Sequence, residues 1–142
     1  MSDDNETNIP PGMPADIAAY IGPYYEASFG EFPKIPKARM EFGAAHRPDF
    51  TRAAEETRRI ALYDGPLDTK TAQLVAFGYL LNAGLPPAIY HARAARKYGA
   101  TWEELHQIVE IGFVITNGMS ALNLGGDMLA RLKAEEEATA SG

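Results

Sequence analysis

The chain of 142 residues has the length of one ordinary domain, and its share of hydrophobic residues, 46%, is typical of a globular protein. Its 13 basic and 19 acidic residues give a net charge of -6, and the basic residues are scattered, so a nucleic-acid partner is not expected. The chain contains no cysteine, which excludes disulfides, thiolate metal sites and thiol peroxidase chemistry.

The two ends of the chain are polar and differ from the region between them. Residues 1–13 carry acidic residues followed by two prolines and a glycine, so we expect a flexible acidic arm. The first residues lack the basic and then apolar pattern of a signal peptide, which predicts a cytoplasmic protein. Residues 134–142 are predicted to be a flexible tail, and residues 14–133 a single helical domain.

The first part of this domain is rich in residues that interrupt helices. Residues 15–21 predict a short helix that ends at Gly22 and Pro23. Prolines and glycines recur throughout residues 22–48, and this pattern predicts broken helix and loop.

A longer helix is predicted over residues 50–63. Asp49 is placed to act as its N-cap, and a turn of aspartate, glycine and proline follows its last residue. The apolar positions of this helix predict a buried side made of Ala53, Ala54, Ile60 and Ala61.

Asp68 is placed to cap the next helix, which is predicted over residues 69–81. Residues 74–81 are apolar on nearly every face, which is typical of a helix that is buried on all sides. One small domain has little interior for such a helix, so we expect a partner subunit and hence a homo-oligomer. The same stretch is far shorter than the roughly 20 residues that span a bilayer, so no membrane partner is expected.

Three further helices are predicted in the remaining sequence. The first covers about residues 87–98 and has a glycine just after its end. Thr101 and Glu104 have the spacing of a capping box that opens the second, and the third covers residues 119–133. A pair of glycines in the third helix is expected to weaken or bend it. No segment shows the period-two pattern of a strand, so the predicted fold class is all-α, a single helical bundle.

His91 lies within the helix predicted over residues 87–98. At 100 degrees per residue, the residues within about 60 degrees of His91 are Ala88, Ala94, Ala95 and Tyr98. Arg93 lies about 200 degrees away, on a basic face with Arg96 and Lys97. Two interpretations are open: a core histidine that bonds a carbonyl, or an imidazole that lines a cavity and exchanges a proton near neutral pH.

The other two histidines carry weaker signals. His46 is expected in an exposed loop, and His106 is placed to pair with Glu110 one helical turn later. The three histidines have no metal-ligand spacing, so no metal is predicted.

Several segments between about residues 60 and 130 follow one another in a recognisable order. They are residues 65–71 (GPLDTKT), the apolar helix, residues 91–95 (HARAA), residues 98–105 (YGATWEEL) and residues 120–123 (SALN). In this order and spacing the chain resembles the carboxymuconolactone decarboxylase family, which is related to alkylhydroperoxidase D. The resemblance implies an all-helical fold that assembles into trimers or hexamers, with pockets between helices and near subunit contacts. It also identifies His91 as the family histidine.

The chain departs from the peroxidase branch of this family. That branch has C-x-x-C ahead of the histidine and a glutamate in the preceding helix, whereas here residues 84–88 read GLPPA and Gln73 stands at the glutamate position. The resemblance therefore points to the branch that uses no cofactor and performs proton shifts and decarboxylation on small carboxylated lactones.

We accordingly expect a cofactor-independent lyase or isomerase that acts on a small organic acid or lactone, as in the catabolism of aromatic compounds. Such chemistry needs a group that moves a proton and a group that stabilises the developing enolate. His91 is the candidate for the proton, and the candidates for binding the substrate, chosen by residue type, are Arg93, Lys70, Arg47, Tyr79 and Tyr90. The alternative is a catalytically silent protein of the same fold that binds a small molecule or only assembles.

Overall fold

The computed structural model describes residues 15–30 and 34–142, and these residues form seven α-helices and one π-helical turn, without a strand. The all-α prediction is thereby confirmed. The chain divides into two compact units, the first ending at Pro66 and the second beginning at Leu67. The predicted arm, residues 1–13, lies outside the described residues. None of the described helices combines the length and apolar character needed to cross a membrane.

The first unit contains α1 (Ala15–Phe29), α2 (Lys34–His46) and α3 (Pro48–Tyr63). The prediction that the first helix ends at Gly22 and Pro23 is wrong, because α1 continues through both residues. A proline inside a helix costs about 3 kcal/mol. The second half of α1 buries Tyr25 and Phe29, and burial of two aromatic side chains is large enough to offset that cost.

The prediction of broken helix and loop for residues 22–48 holds in part: α1 ends at Phe29 and α2 begins at Lys34, but α2 is continuous over 13 residues. Pro36 lies in the first turn of α2, where the backbone N–H groups have no partner within the helix and the loss of one costs little. Gly43 lies where α2 meets α3, and a Cβ atom at this position would overlap the hydroxyl oxygen of Thr51. The glycine therefore permits close packing of the two helices.

Helix α3 buries a polar face, which is the opposite of what its apolar pattern predicts. Its N-cap is Arg47 instead of Asp49. The buried residues of α3 are Thr51 and Glu55, whereas the four residues predicted to be buried, Ala53, Ala54, Ile60 and Ala61, are exposed.

Glu55 can be buried because both oxygens of its carboxylate have partners. The Tyr25 hydroxyl donates to Oε2 at 3.1 Å, and Arg39 donates to Oε1 at 2.5 Å. Burial raises the pKa of the Tyr25 hydroxyl, so this group stays a donor. The first unit thus contains a polar network around the buried Glu55 that periodicity does not reveal.

The second unit contains α4 (Thr69–Asn82), α5 (Ala88–Lys97), α6 (Trp102–Gly112), the π-helical turn Phe113–Asn117 and α7 (Met119–Ala140). The predicted signals at the helix ends are confirmed here. Asp68 accepts a hydrogen bond from the Thr71 N–H, and Thr101 and Glu104 form the reciprocal bonds of a capping box. The glycine after α5, Gly99, has φ of +93°, which favours glycine.

The core of the second unit is a cluster to which all four of its α-helices contribute. Its fully or almost fully buried members are Phe77, Leu81, Ala88, Ala92, Ala95, Ala100, Leu105, Val109 and Leu132. Helix α7 continues to Ala140 and does not end near Lys133, because Glu135 and Glu136 pair with Arg93 and Arg96 of α5. The flexibility expected of residues 134–142 stays a prediction.

Helix α7 runs unbroken through the glycine pair that was expected to weaken it. Gly125 is buried, and a Cβ atom there would lie 2.6 Å from Val109 Cγ2 and 3.2 Å from Leu81 Cδ2. Gly126 is exposed, and a Cβ atom there would meet nothing within 4 Å. The two adjacent glycines therefore differ in role, since only the first allows close packing of α7 on the core.

Replacement of Gly125 by alanine is expected to lower the free energy of unfolding by about 1 to 3 kcal/mol, because the methyl group overpacks the core. Gly126→Ala is the matched control, and there we expect no loss and a gain of up to about 1 kcal/mol from helix propensity. Chemical denaturation of both variants measures the difference. Equal stability of the two variants would contradict this packing role.

Candidate functional site

His91 of α5 and Gln73 of α4 meet inside the second unit. The imidazole is half-buried, whereas Gln73 has an exposed fraction of 0%. Nδ1 of the imidazole lies 2.7 Å from the amide oxygen Oε1 of Gln73, which is hydrogen-bond distance. The two helices thus bring together an imidazole and a buried amide, and we take this pair as the candidate site.

The alanines around His91 hold α5 against the core. Ala88, Ala92, Ala94 and Ala95 each have an exposed fraction of 0%, and three of them belong to the core cluster. The small-residue face predicted around His91 is therefore a packing face, and it fixes the position of α5 relative to α4. A rigid helix pair suits a catalytic site because the imidazole is held in one place.

Lys70, a predicted substrate-binding residue, lies in the first turn of α4 and pairs with Glu104 of α6 at 2.8 Å. The hydrogen bond from Lys70 lowers the pKa of the Glu104 carboxyl, and the same bond raises the pKa of the Lys70 amine. The pair joins α4 to the capping box of α6, so Lys70 has a structural partner in this unit.

The Lys70–Glu104 pair should make stability depend on pH at both ends of the range. Folding lowers the pKa of Glu104 from 4.5. The contribution of Glu104 to stability is therefore fully present above about pH 4.5 and is lost as the pH falls through the lowered pKa of the folded protein. Folding raises the pKa of Lys70 from 10.5. The contribution of Lys70 to stability is therefore fully present below about pH 10.5 and is lost as the pH rises through the raised pKa of the folded protein.

The measurement compares the denaturation midpoint of the parent with that of Lys70→Met over a range of pH. We expect the midpoints to differ most between about pH 5 and pH 10 and to converge at lower and higher pH. The effect should be modest and smaller at high salt, because both groups are partly exposed. A difference that does not change with pH would contradict the role of this pair.

Arg93 and Tyr90, two further predicted binding residues, lie on α5 with His91. The Arg93 guanidinium donates to Glu135 of α7 at 2.5 Å, and it lies 5.7 Å from the centre of the Tyr90 ring. Both side chains are half-buried. The structure therefore joins Arg93 to Tyr90 and to α7, and the role of both residues in binding substrate stays a prediction.

Tyr79 and Arg47, the other two predicted binding residues, belong to different units. Tyr79, with an exposed fraction of 76%, lines a groove of about 240 Å³ between α4 and α6. Arg47 belongs to the first unit, where it is the exposed N-cap of α3 and its carbonyl accepts a bond from the Thr51 hydroxyl. The binding roles of these two residues also stay predictions.

The other two histidines, His46 and His106, are exposed at the surface. His106 Nδ1 lies 2.9 Å from Glu110 Oε1 on the exposed face of α6, which confirms the predicted pair. His46 is exposed at the end of α2, and its ring lies 4.4 Å from that of Phe42. Among the residues that the structure describes, no group of three histidines and carboxylates is placed to hold a metal ion.

Gln73 is a site residue that the sequence pattern alone does not identify. In the sequence it stands out only as the residue at the glutamate position of the peroxidase branch. The available signal was a polar side chain within an otherwise apolar stretch of α4, since a polar residue that is buried there requires a hydrogen-bond partner. The partner, His91, is 18 residues away in sequence, and only the packing of α5 on α4 identifies it.

Comparisons with known proteins agree with this fold. The structure is similar, with a TM-score of 0.71, to the 1.65 Å crystal structure of a candidate carboxymuconolactone decarboxylase from Burkholderia xenovorans LB400. The two chains are 23% identical, and the match covers 89% of this chain and 96% of that one. No curated protein matches the chain. The sequence model of the carboxymuconolactone decarboxylase family matches residues 48–124, which is more than half of the sequence. The chain therefore belongs to the carboxymuconolactone decarboxylase family.

Proposed function

We propose that this protein is a lyase or isomerase that needs no cofactor and acts on a small carboxylated or lactone substrate. The observation that carries the proposal is the half-buried imidazole of His91 held by the fully buried Gln73, in a chain of this family that has no cysteine. An imidazole can both take and give a proton near neutral pH, which is what a carbon acid needs from its catalyst.

Both reactions pass through an enolate. In a double-bond shift, His91 takes a proton from carbon, the electron pair moves to the conjugated carbonyl oxygen, and the same proton returns to another carbon. In decarboxylation, the bond between carbon and the carboxylate breaks, carbon dioxide leaves, and protonated His91 gives its proton to the carbon that has gained the electron pair. His91 is the proton carrier in both cases, and neither reaction requires a net oxidant or reductant.

The test is a screen of muconolactone-type acids with the purified protein. Release of carbon dioxide would identify a lyase, and migration of a double bond without carbon dioxide would identify an isomerase. Binding of these acids with neither reaction would instead support the alternative, a catalytically silent protein that binds a small molecule.

We further propose that the chain forms a homo-oligomer, a trimer or a hexamer as the family resemblance implies, through the groove between α4 and α6. The residues that line this groove include no charged side chain. Four of the lining residues are large, apolar and exposed, namely Val75, Tyr79, Ile111 and Ile115. Contiguous exposed apolar surface often marks a contact between proteins, and an uncharged surface favours a second copy of the same chain.

Light scattering is expected to give a mass that is a multiple of 15.4 kDa. Ile115→Asp should reduce the fraction of assembled protein, because a carboxylate would be buried in the contact without a partner. Ala138→Asp, at an exposed position of α7, is the control and should leave the mass unchanged. A parent that is monomeric at micromolar concentration would contradict the proposed assembly.

A further inference from the structure

In the described structure the side-chain amide of Gln73 makes a hydrogen bond through its oxygen alone. The oxygen Oε1 accepts from His91, whereas the nitrogen Nε2 is buried and has no hydrogen-bond partner within the described part of the chain. A buried donor without an acceptor costs free energy, and such groups are uncommon in folded proteins. The unpaired nitrogen belongs to the same amide that contacts the imidazole, so it points to an acceptor that arrives at this site.

The contact of Oε1 also determines the protonation pattern of the imidazole. A carbonyl oxygen can only accept a hydrogen bond, so the neutral imidazole must carry its proton on Nδ1. Nε2 of His91 then holds the lone pair and is the nitrogen that can take a proton from a substrate. A hydrogen bond to one ring nitrogen thus selects the reactive one.

We propose that Gln73 has two roles: it is a positioning residue that holds His91 with Nε2 as the base, and its amide nitrogen donates a hydrogen bond to an anionic oxygen of the ligand. The second role rests on the proposed function, in which that oxygen is the carbonyl oxygen of the substrate as it becomes an enolate. When His91 Nε2 takes the proton from carbon, the electron pair moves to this oxygen, and the amide N–H stabilises the charge.

The amide defines the class of ligand. Gln73 presents an uncharged donor in a site where it is fully buried, so an oxygen that carries or gains negative charge is stabilised there. A carboxylate at the same position could still accept from the imidazole, but it would repel an anionic oxygen. Gln73→Glu therefore separates the two roles, and Gln73→Met, which has a similar length and no polar group, removes both.

The first arm of the test reads the tautomer of His91 by 15N NMR of the whole protein at mildly alkaline pH, where imidazoles are neutral. His91→Gln identifies the His91 signals, and the signals of His106 serve as an internal control. We expect the proton on Nδ1 in the parent and in Gln73→Glu, and a mixture of both tautomers in Gln73→Met. A proton that stays on Nδ1 in Gln73→Met would overturn the positioning role.

The second arm uses oxalate, a small planar dianion that resembles an enolate, and follows the side-chain amide signal of Gln73. We expect oxalate to shift this signal in the parent, and we expect Gln73→Glu to lose oxalate binding. An amide signal that does not move at saturating oxalate would overturn the donor role. Oxalate binding at Gln73 by a protein that catalyses neither reaction would contradict the proposed function and leave this inference standing.

Once a substrate is known, a third arm compares turnover. Gln73→Glu should lower kcat by about 100- to 1,000-fold with little change in KM, because the enolate charge develops only in the transition state. Parent-like kcat in Gln73→Glu would overturn the donor role even if the tautomer result held.

Discussion

Replacement of His91 by glutamine is expected to lower turnover by about 100- to 10,000-fold while the protein stays folded. Glutamine is polar and can still contact Gln73, but it cannot take a proton from carbon. The loss should appear mainly in kcat, because the imidazole acts on the reacting bond and does not supply the bulk of binding. Steady-state kinetics with the substrate from the screen measures the effect, and circular dichroism checks the fold.

His106→Gln is the matched control, since it is the same substitution on an exposed helix face where the imidazole pairs only with Glu110 in the described structure. It should leave kcat and KM at the parent values. If His91→Gln were folded and turned the substrate over within about twofold of the parent, far from the loss expected for a general acid–base group, His91 would be a core histidine.

Replacement of Phe77 by alanine is expected to lower the free energy of unfolding by about 3 to 5 kcal/mol. The ring has an exposed fraction of 0% and lies in the core cluster of the second unit, so its removal leaves a cavity. Such a loss is a large part of the roughly 5 to 15 kcal/mol that stabilises an ordinary domain. The shift in the midpoint of chemical denaturation measures it.

The matched control is Phe50→Ala, because Phe50 has the same side chain with an exposed fraction of 69%. There we expect a change within about 0.5 kcal/mol, as for other surface substitutions. A similar destabilisation by the two substitutions would contradict the assignment of Phe77 to the core.

The sequence was sufficient where short-range chemistry determines the structure. The Asp68 cap and the capping box of Thr101 and Glu104 are contacts between residues three apart, so local spacing predicts them. The order of these motifs around His91 was also sufficient to identify the family and its all-α fold. Both predictions depend on signals that lie within or directly beside a helix.

The sequence was insufficient where distant residues override local propensity. Helix α1 passes through Pro23 because burial of the aromatic residues that follow compensates for a broken backbone bond. The buried face of α3 carries Glu55, since Tyr25 and Arg39, far away in sequence, supply its hydrogen bonds. Periodicity alone assigns such a polar residue to the surface, so the buried side of α3 was predicted incorrectly.

The candidate site was half predictable for the same reason. His91 stands out by its motif and by its face of small residues, whereas Gln73 becomes a site residue only through the packing of α4 on α5. The basic residues give the opposite result. Residue type alone predicts that Lys70 and Arg93 bind an anionic substrate, but in the structure each is paired with a carboxylate of the second unit. Charge partners of this kind depend on tertiary contacts.

The most direct test of the proposed function is the exchange of a carbon-bound hydrogen for deuterium in D2O. Proton NMR of a muconolactone-type acid would follow the exchange with the parent and with His91→Gln. If His91 transfers the proton, the parent introduces deuterium at the carbon next to the carbonyl or at the carbon that receives the proton. His91→Gln should slow this exchange at least about 100-fold. Exchange at the same rate in both proteins would contradict the role assigned to His91.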